Sequence, residues 1–320
     1  MRIPFFFSKM MRGHIRFRAM GVAVCFATWG AVEAGAQDAK NPKPDKPTPT
    51  HADVKYAPHE RNVLDFWQAG SAEPTPLVVY IHGGGFRVGS KEGMSPIVLK
   101  VLLGAGISVA SINYRYATQA PIPAPHHDGR RALQFLRSKA DAWNIDTSRV
   151  GAFGNSAGAQ ICMYLAFHDD MADPKSDDPL ERESTRLACV GTVGGQTTMD
   201  ADWFRKNIPG YQNEFARDLG GKDPGAAATG DRRTLFAGLT AMELVSADDP
   251  AIFMRYKMNP DDPMPEGEAA RYWKIHHVQF GVSLKERMDA LGLESHLVFP
   301  KARDTQFRTF GDFFIARLKN

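Results

Sequence analysis

Cysteine is scarce: Cys25, Cys162 and Cys189 are the three in 320 residues. So few exclude a disulfide-stapled scaffold, and no Cys/His cluster at ligand spacing marks a structural zinc site. Charge of one sign is lacking too, with 39 basic against 36 acidic residues and a net of +3. Even that excess belongs to the N-terminus. Met1–Ala36 carries Arg2, Lys9, Arg12, Arg16 and Arg18 against the single acid Glu33, so its removal takes the net charge from +3 to −1. The remaining near-neutral domain has no electrostatic footprint for nucleic acid or an anionic membrane. There is no internal repeat, and the apolar run Ala19–Val32 is short for a membrane span.

What is present at the N-terminus is a targeting pattern. The basic region through Arg18, the apolar run and the small-x-small site Ala34-Gly35-Ala36 read as a secretory signal peptide over residues 1–36, cleaved before Gln37. A retained signal anchor is the alternative. The protein is therefore expected outside the cytoplasm, secreted or periplasmic, without a stable membrane anchor. Cys162 and Cys189 sit in apolar surroundings and read as buried free thiols, with a disulfide between them, which an exported protein permits, as the alternative. Residues 37–52, rich in Pro and Lys, read as an extended, disordered linker.

From residue 53 to 320 strand and helix signals alternate. Val54–Tyr56, Asn62–Trp67, Leu77–Ile81, Ile107–Tyr114, Val150–Phe153, Leu187–Gly194, Ala251–Tyr256 and His296–Phe299 read as strands. Ser95–Leu103, Gly129–Trp143, Ala157–Phe167, Val278–Leu291 and Phe310–Lys319 read as helices. That alternation predicts an α/β fold, a mainly parallel central sheet flanked by helices on both faces. Between about 195 and 247 it breaks into polar, Gly-rich sequence with scattered aromatics (Trp203, Phe204, Tyr211, Phe215, Phe236), expected to form a cap-like insertion.

Two motifs carry chemistry. Gly154-Asn155-Ser156-Ala157-Gly158 lies between a strand and a helix. A serine on such a tight turn exposes its hydroxyl, the glycines let strand and helix approach, and the helix start offers the Ala157 N–H to a reacting carbonyl. His82-Gly83-Gly84-Gly85-Phe86 follows a hydrophobic strand, and its glycines allow main-chain N–H groups to face a developing oxyanion. Ser156 is the expected nucleophile and Gly83, Gly84 and Ala157 the expected oxyanion hole; His82 is expected to pin its loop. Nothing calls for a metal or a cofactor.

With both motifs in place, the sequence resembles the α/β-hydrolase superfamily, in its esterase/lipase branch with a His-Gly-Gly-Gly loop, and within it secreted feruloyl and acetyl-xylan esterases. The likeness runs from about Val54 to Gly194 and includes Asn113-Tyr114-Arg115, Pro121–Pro125, Asp128 and Asn144-Ile145-Asp146. It implies a carboxylic-ester hydrolase, a small-molecule or polysaccharide-linked ester as substrate, and a Ser–acid–His triad in that chain order. The acid would follow the strand Ala251–Tyr256, where Asp262 is the first choice and Asp261 the alternative; a solvated turn would select the same residues. The base departs from the pattern. After the last strand, where the family has histidine, this chain has Asp304, and an ordinary carboxylate is too weak a base for a serine hydroxyl. Position sets aside the other histidines and leaves His277, with His276 as alternative; an adjacent pair before a helix also suits capping or local packing. The competing reading is a degraded scaffold that binds esters or carbohydrates with little turnover. A peptidase of the same superfamily is a third, against which the glycine-triplet loop argues.

Overall fold

The computed structural model describes residues 45–212, 230–304 and 306–319, with the side chains of 230–233 left out. The expected signal peptide, the first half of the linker (37–44) and Phe215 lie outside the described residues.

Eight strands form one sheet in the order β1-β2-β4-β3-β5-β6-β7-β8. They are β1 (His51–Lys55), β2 (Val63–Trp67), β3 (Thr75–Ile81), β4 (Ser108–Ile112), β5 (Ile145–Asn155), β6 (Cys189–Val193), β7 (Ala251–Arg255) and β8 (Ser295–Val298). β1 and β2 run antiparallel to their neighbours, and every pair from β4 to β8 is parallel. The expected mainly parallel sheet is borne out.

Alternation along the strands feeds two cores. In β3, Leu77, Val79 and Ile81 join one apolar cluster while Val78 and Tyr80 join the other. The first cluster packs against α2 (Ala124–Ser138) and α4 (Ala157–Phe167), and the second against α1 (Pro96–Gly104) and α10 (Phe310–Leu318). A short helix, α3 (Ala140–Trp143), follows α2. Cys162 and Cys189 are buried free thiols.

Several elements differ from the sequence reading, among them β5, which starts at Ile145 instead of Val150. β1 starts at His51, whose ring stacks on Trp143 at 4.7 Å, and the preceding Pro47 carbonyl accepts from the Trp67 indole at 2.7 Å. The last residues assigned to the linker thus lie along β2. α2 begins at Ala124 with Pro125 in its first turn, where a missing N–H costs no hydrogen bond. An unexpected helix, α8 (Glu268–Ile275), precedes α9 (Gln279–Ala290).

The stretch after β6 contains α5 (Ala201–Asn207), α6 (Gly230–Ala237) and α7 (Ala241–Leu244). Trp203 stacks on Phe280 of α9 at 4.9 Å, and Phe204 packs on Tyr211 at 4.6 Å. These aromatics hold this stretch against the core.

Candidate active site

β5 runs into α4 through Ser156, whose backbone has φ 50° and ψ −118°. A non-glycine residue is strained at positive φ, and the surroundings over-determine it here. The Ser156 N–H donates to the Val193 carbonyl at 2.9 Å, and the Gln160 N–H to the Ser156 carbonyl at 3.1 Å. A β-carbon on Gly158 would stand 2.5 Å from the His82 carbonyl oxygen and closer still to that of Ile81. Glycine there is what lets the nucleophile helix touch the end of β3.

The His82–Phe86 loop is pinned from three sides. His82 stacks on Tyr114 at 4.2 Å, and the Tyr114 hydroxyl donates to the His82 carbonyl at 2.9 Å. The His82 Nδ1–H donates to the Gly83 carbonyl at 2.7 Å, leaving Nε2 to accept from Arg61 at 3.3 Å. Burial pushes this imidazole down to about 4, so it is neutral. It is the loop anchor the sequence led us to expect.

The three expected oxyanion donors separate. Gly83 donates its N–H to the Asn155 Oδ1 at 3.2 Å, which ties the loop to the serine turn and commits that donor. Asn155 also accepts from the Tyr80 hydroxyl at 3.3 Å. The N–H groups of Gly84, at φ +111°, and of Ala157, at the start of α4, have no acceptor among the described residues. Asn155 was passed over in the sequence; its signal is a polar side chain beside the serine at the end of an apolar strand.

Of the two candidate bases, the structure brings the alternative, His276, to the serine. His276 Nε2 lies 2.9 Å from the Ser156 Oγ, whereas His277 faces the core. His277 packs edge-on to Trp273 at 4.4 Å, and its Nδ1 accepts from the Gln279 N–H at 3.1 Å, capping the start of α9. The reason is α8. His276 is the residue that ends this helix, and the helix aims its ring at the serine turn, so its neighbour points the opposite way. The missed helix had a legible signal in the good helix formers Glu268, Ala269, Ala270 and Arg271 after Gly267.

Neither acid candidate meets this imidazole by a hydrogen bond. Asp262 accepts from the Asn259 N–H at 2.7 Å and its side-chain amide at 3.0 Å, while Asp261 pairs with Lys301 at 2.7 Å. Asp262 closes the Asn259–Pro263 turn and Asp261 ties it to the chain beyond β8, as in the solvated-turn alternative. His276 Nδ1 instead faces the Tyr272 carbonyl at 3.0 Å. Burial pushes His276 down to about 4; the Tyr272 carbonyl opposes the shift, and Lys257 and Arg271 add to it. The His276 imidazole is therefore neutral at neutral pH. Asp304, where the family has histidine, bonds to His296 Nδ1 at 2.7 Å.

A serine elbow after the fifth strand of this sheet, a glycine loop after the third and an imidazole in reach of the serine define an α/β-hydrolase. The chain belongs to the BD-FAE family, whose model matches residues 64–258. Carboxylesterase NlhH of Mycobacterium tuberculosis is 34% identical over 101 residues, 32% of this chain and 32% of that protein. Ethyl acetate hydrolase of Pseudomonas putida is 33% identical over 137 residues, 40% of this chain and 43% of that protein. The chain thus spans less than half the length of these curated relatives. A truncated form of a carbohydrate esterase from gut microbiota shares the fold, with a TM-score of 0.64 at 21% identity over 84% of this chain and 96% of that one. The α/β-hydrolase resemblance is borne out.

Proposed function

We propose that the protein is a serine carboxylic-ester hydrolase working through a Ser156–His276 pair on small or carbohydrate-linked esters. The observation that carries this reading is the 2.9 Å approach of His276 Nε2 to the Ser156 Oγ. The Tyr272 carbonyl holds the proton on Nδ1, so the lone pair on Nε2 faces the hydroxyl.

Ser156 attacks the ester carbonyl as His276 takes its proton. The Gly84 and Ala157 N–H groups face the developing oxyanion, and α4 adds its positive N-terminal end. The imidazolium returns the proton to the leaving alcohol. Water, deprotonated by the same imidazole, then attacks the acyl carbon, and the imidazolium returns that proton to the departing Ser156 Oγ as the acid is released. The ester class follows from the BD-FAE family and from the printed activities of the relatives. Action outside the cytoplasm follows from the N-terminal targeting pattern.

The test is hydrolysis of an aryl acetate by the wild type, Ser156→Ala and His276→Ala. Loss of about 10³-fold or more in both variants is expected. A wild type no faster than Ser156→Ala would instead establish the degraded scaffold.

A further inference from the structure

Two buried glutamines bridge the nucleophile helix to the segment bearing the base. Gln160 lies one turn along α4 from Ser156, and Gln196 lies in the loop after β6; each is 2% exposed. Gln196 donates its side-chain N–H to the Ile275 carbonyl, the residue before His276. That acceptor fixes the Gln196 amide orientation and leaves Oε1 to accept from Gln160 Nε2 at 2.7 Å. Burying two amides is costly unless they are bonded, and the Gln160 Oε1 has no partner among the described residues. An apolar pair would fill the space without that cost, so packing alone does not account for them.

The loop carrying Gln196 holds the base segment at more than one point. Gly194 lies beneath the His276 ring, where a β-carbon would approach Cδ2 to 3.2 Å. The Thr197 hydroxyl donates to the Phe280 carbonyl at 3.0 Å, and the Tyr256 hydroxyl clamps the Gly195 carbonyl at 2.6 Å. The chain from Ile275 to Phe280 is thus gripped at both ends by consecutive residues, Gln196 and Thr197. Only the Gln196 grip continues into the helix that begins at Ser156. In a full triad a carboxylate orients the imidazole from behind; here the support comes through the backbone on which the imidazole is mounted.

We propose that Gln160 and Gln196 are positioning residues that hold His276 in register with Ser156. The proposal rests on the hydrolase reading above. The relay shares the displacement of the base from the end of β8 to the end of α8: it runs from the nucleophile helix to that new position.

The experiment compares wild type with Gln196→Met, Gln160→Met, the double variant and Gln196→Glu. It measures kcat and KM on an aryl acetate and the rate at which a fluorophosphonate labels Ser156. Gln196→Met is expected to lower kcat and the labelling rate together by about tenfold, the loss of a buried hydrogen bond, with KM within about twofold. The double variant is expected to be no worse than Gln196→Met, because both members act through one chain of bonds. Gln196→Glu can donate to the Ile275 carbonyl only when protonated, so its activity relative to wild type should fall as pH rises. Folded Gln196→Met with kcat and labelling within twofold of wild type would overturn the proposal, as would a Gln196→Glu profile parallel to wild type. Wild-type Ser156 that labels no faster than Ser156→Ala background would defeat the hydrolase reading itself. The relay is then judged by the imidazole NMR signals of His276, assigned by their loss in His276→Gln. Signals that stay put in Gln196→Met overturn it, and signals that shift support it.

Discussion

The Nδ1–H of His276 meets the carbonyl oxygen of Tyr272 at 3.0 Å, in the place where a serine-hydrolase triad puts a carboxylate. The same carbonyl accepts the His276 backbone N–H at 3.1 Å. It sits in the last turn of α8, where helix carbonyls carry partial negative charge that favours a cation. A carbonyl fixes the tautomer as a carboxylate would, but it stabilises the imidazolium only weakly.

Removal of either acid candidate is therefore expected to leave catalysis largely intact. In a full triad, neutralising the acid costs about 10⁴-fold in kcat. Here Asp261→Asn and Asp262→Asn should each stay within about threefold of wild type on an aryl acetate, since Asp262 closes a turn and Asp261 pairs with Lys301, and neither bonds to His276. A collapse of kcat in Asp262→Asn with the fold intact would mean that the turn swings in to complete a triad when substrate binds.

The two adjacent histidines should separate cleanly. His276→Ala removes the group facing Ser156 and is expected to cost about 10³-fold or more in kcat with little change in melting temperature. His277→Ala removes a buried ring and the cap on the Gln279 N–H, so it should lower stability by about 1–3 kcal/mol and leave kcat per folded molecule near wild type. Thermal melts and active-site titration together check both halves.

How far the site was legible follows from range. The serine turn and the glycine loop are steric solutions written in consecutive residues, and Gly154, Ser156, Gly158 and His82 take the places their motifs imply. Sheet and helix alternation was equally readable, because strands buried on both faces are continuous apolar runs. The base was only half legible. Elimination reached the pair His276–His277, but choosing between them needed the orientation of α8, and a helix of Glu268–Ile275 is too short for periodicity to declare. Asp262 failed for a different reason. Asp and Pro serve a turn and a triad loop equally well, and sequence holds no sign of which carboxylate reaches which imidazole. The commitment of Gly83 to Asn155 likewise depends on two segments 72 residues apart meeting in space.

Two glycines in these motifs should respond very unequally to alanine. Gly158→Ala drives a β-carbon into the carbonyl oxygens of Ile81 and His82, backbone atoms that cannot turn aside. The nucleophile helix must then move off the loop, and loss of soluble folded protein or a fall of about 100-fold in kcat is expected. Gly85→Ala meets nothing within 4 Å at φ +58°, so its cost is the backbone strain of about 1 kcal/mol alone. Melting curves for the two variants decide the point, and equal behaviour would mean that the serine turn is not in close contact with β3.

The pH response should split activity from stability. Burial holds His82 and His276 at about 4 and His126 at about 3, all well below the ordinary value of 6.5. For activity the base must be unprotonated, so kcat/KM should hold from neutral pH down to about 5 and fall only as pH approaches about 4. Stability runs differently. Below pH 6.5 the unfolded chain takes up protons on these residues while the folded chain does not, so stability is complete above 6.5 and is lost progressively as pH falls toward 4. Raised carboxyls at Glu243 and Asp249, both driven by burial, work in the opposite direction and partly offset that loss. His126 is the sharpest probe, fully buried with neither ring nitrogen hydrogen-bonded among the described residues and its ring 5.4 Å from both Phe86 and Tyr164. His126→Leu should flatten the slope of melting temperature against pH between 6.5 and 4 and leave the acid limb of kcat/KM where it was. An acid limb centred near 6.5 in the wild type would place His276 in water and undo the burial on which this argument depends.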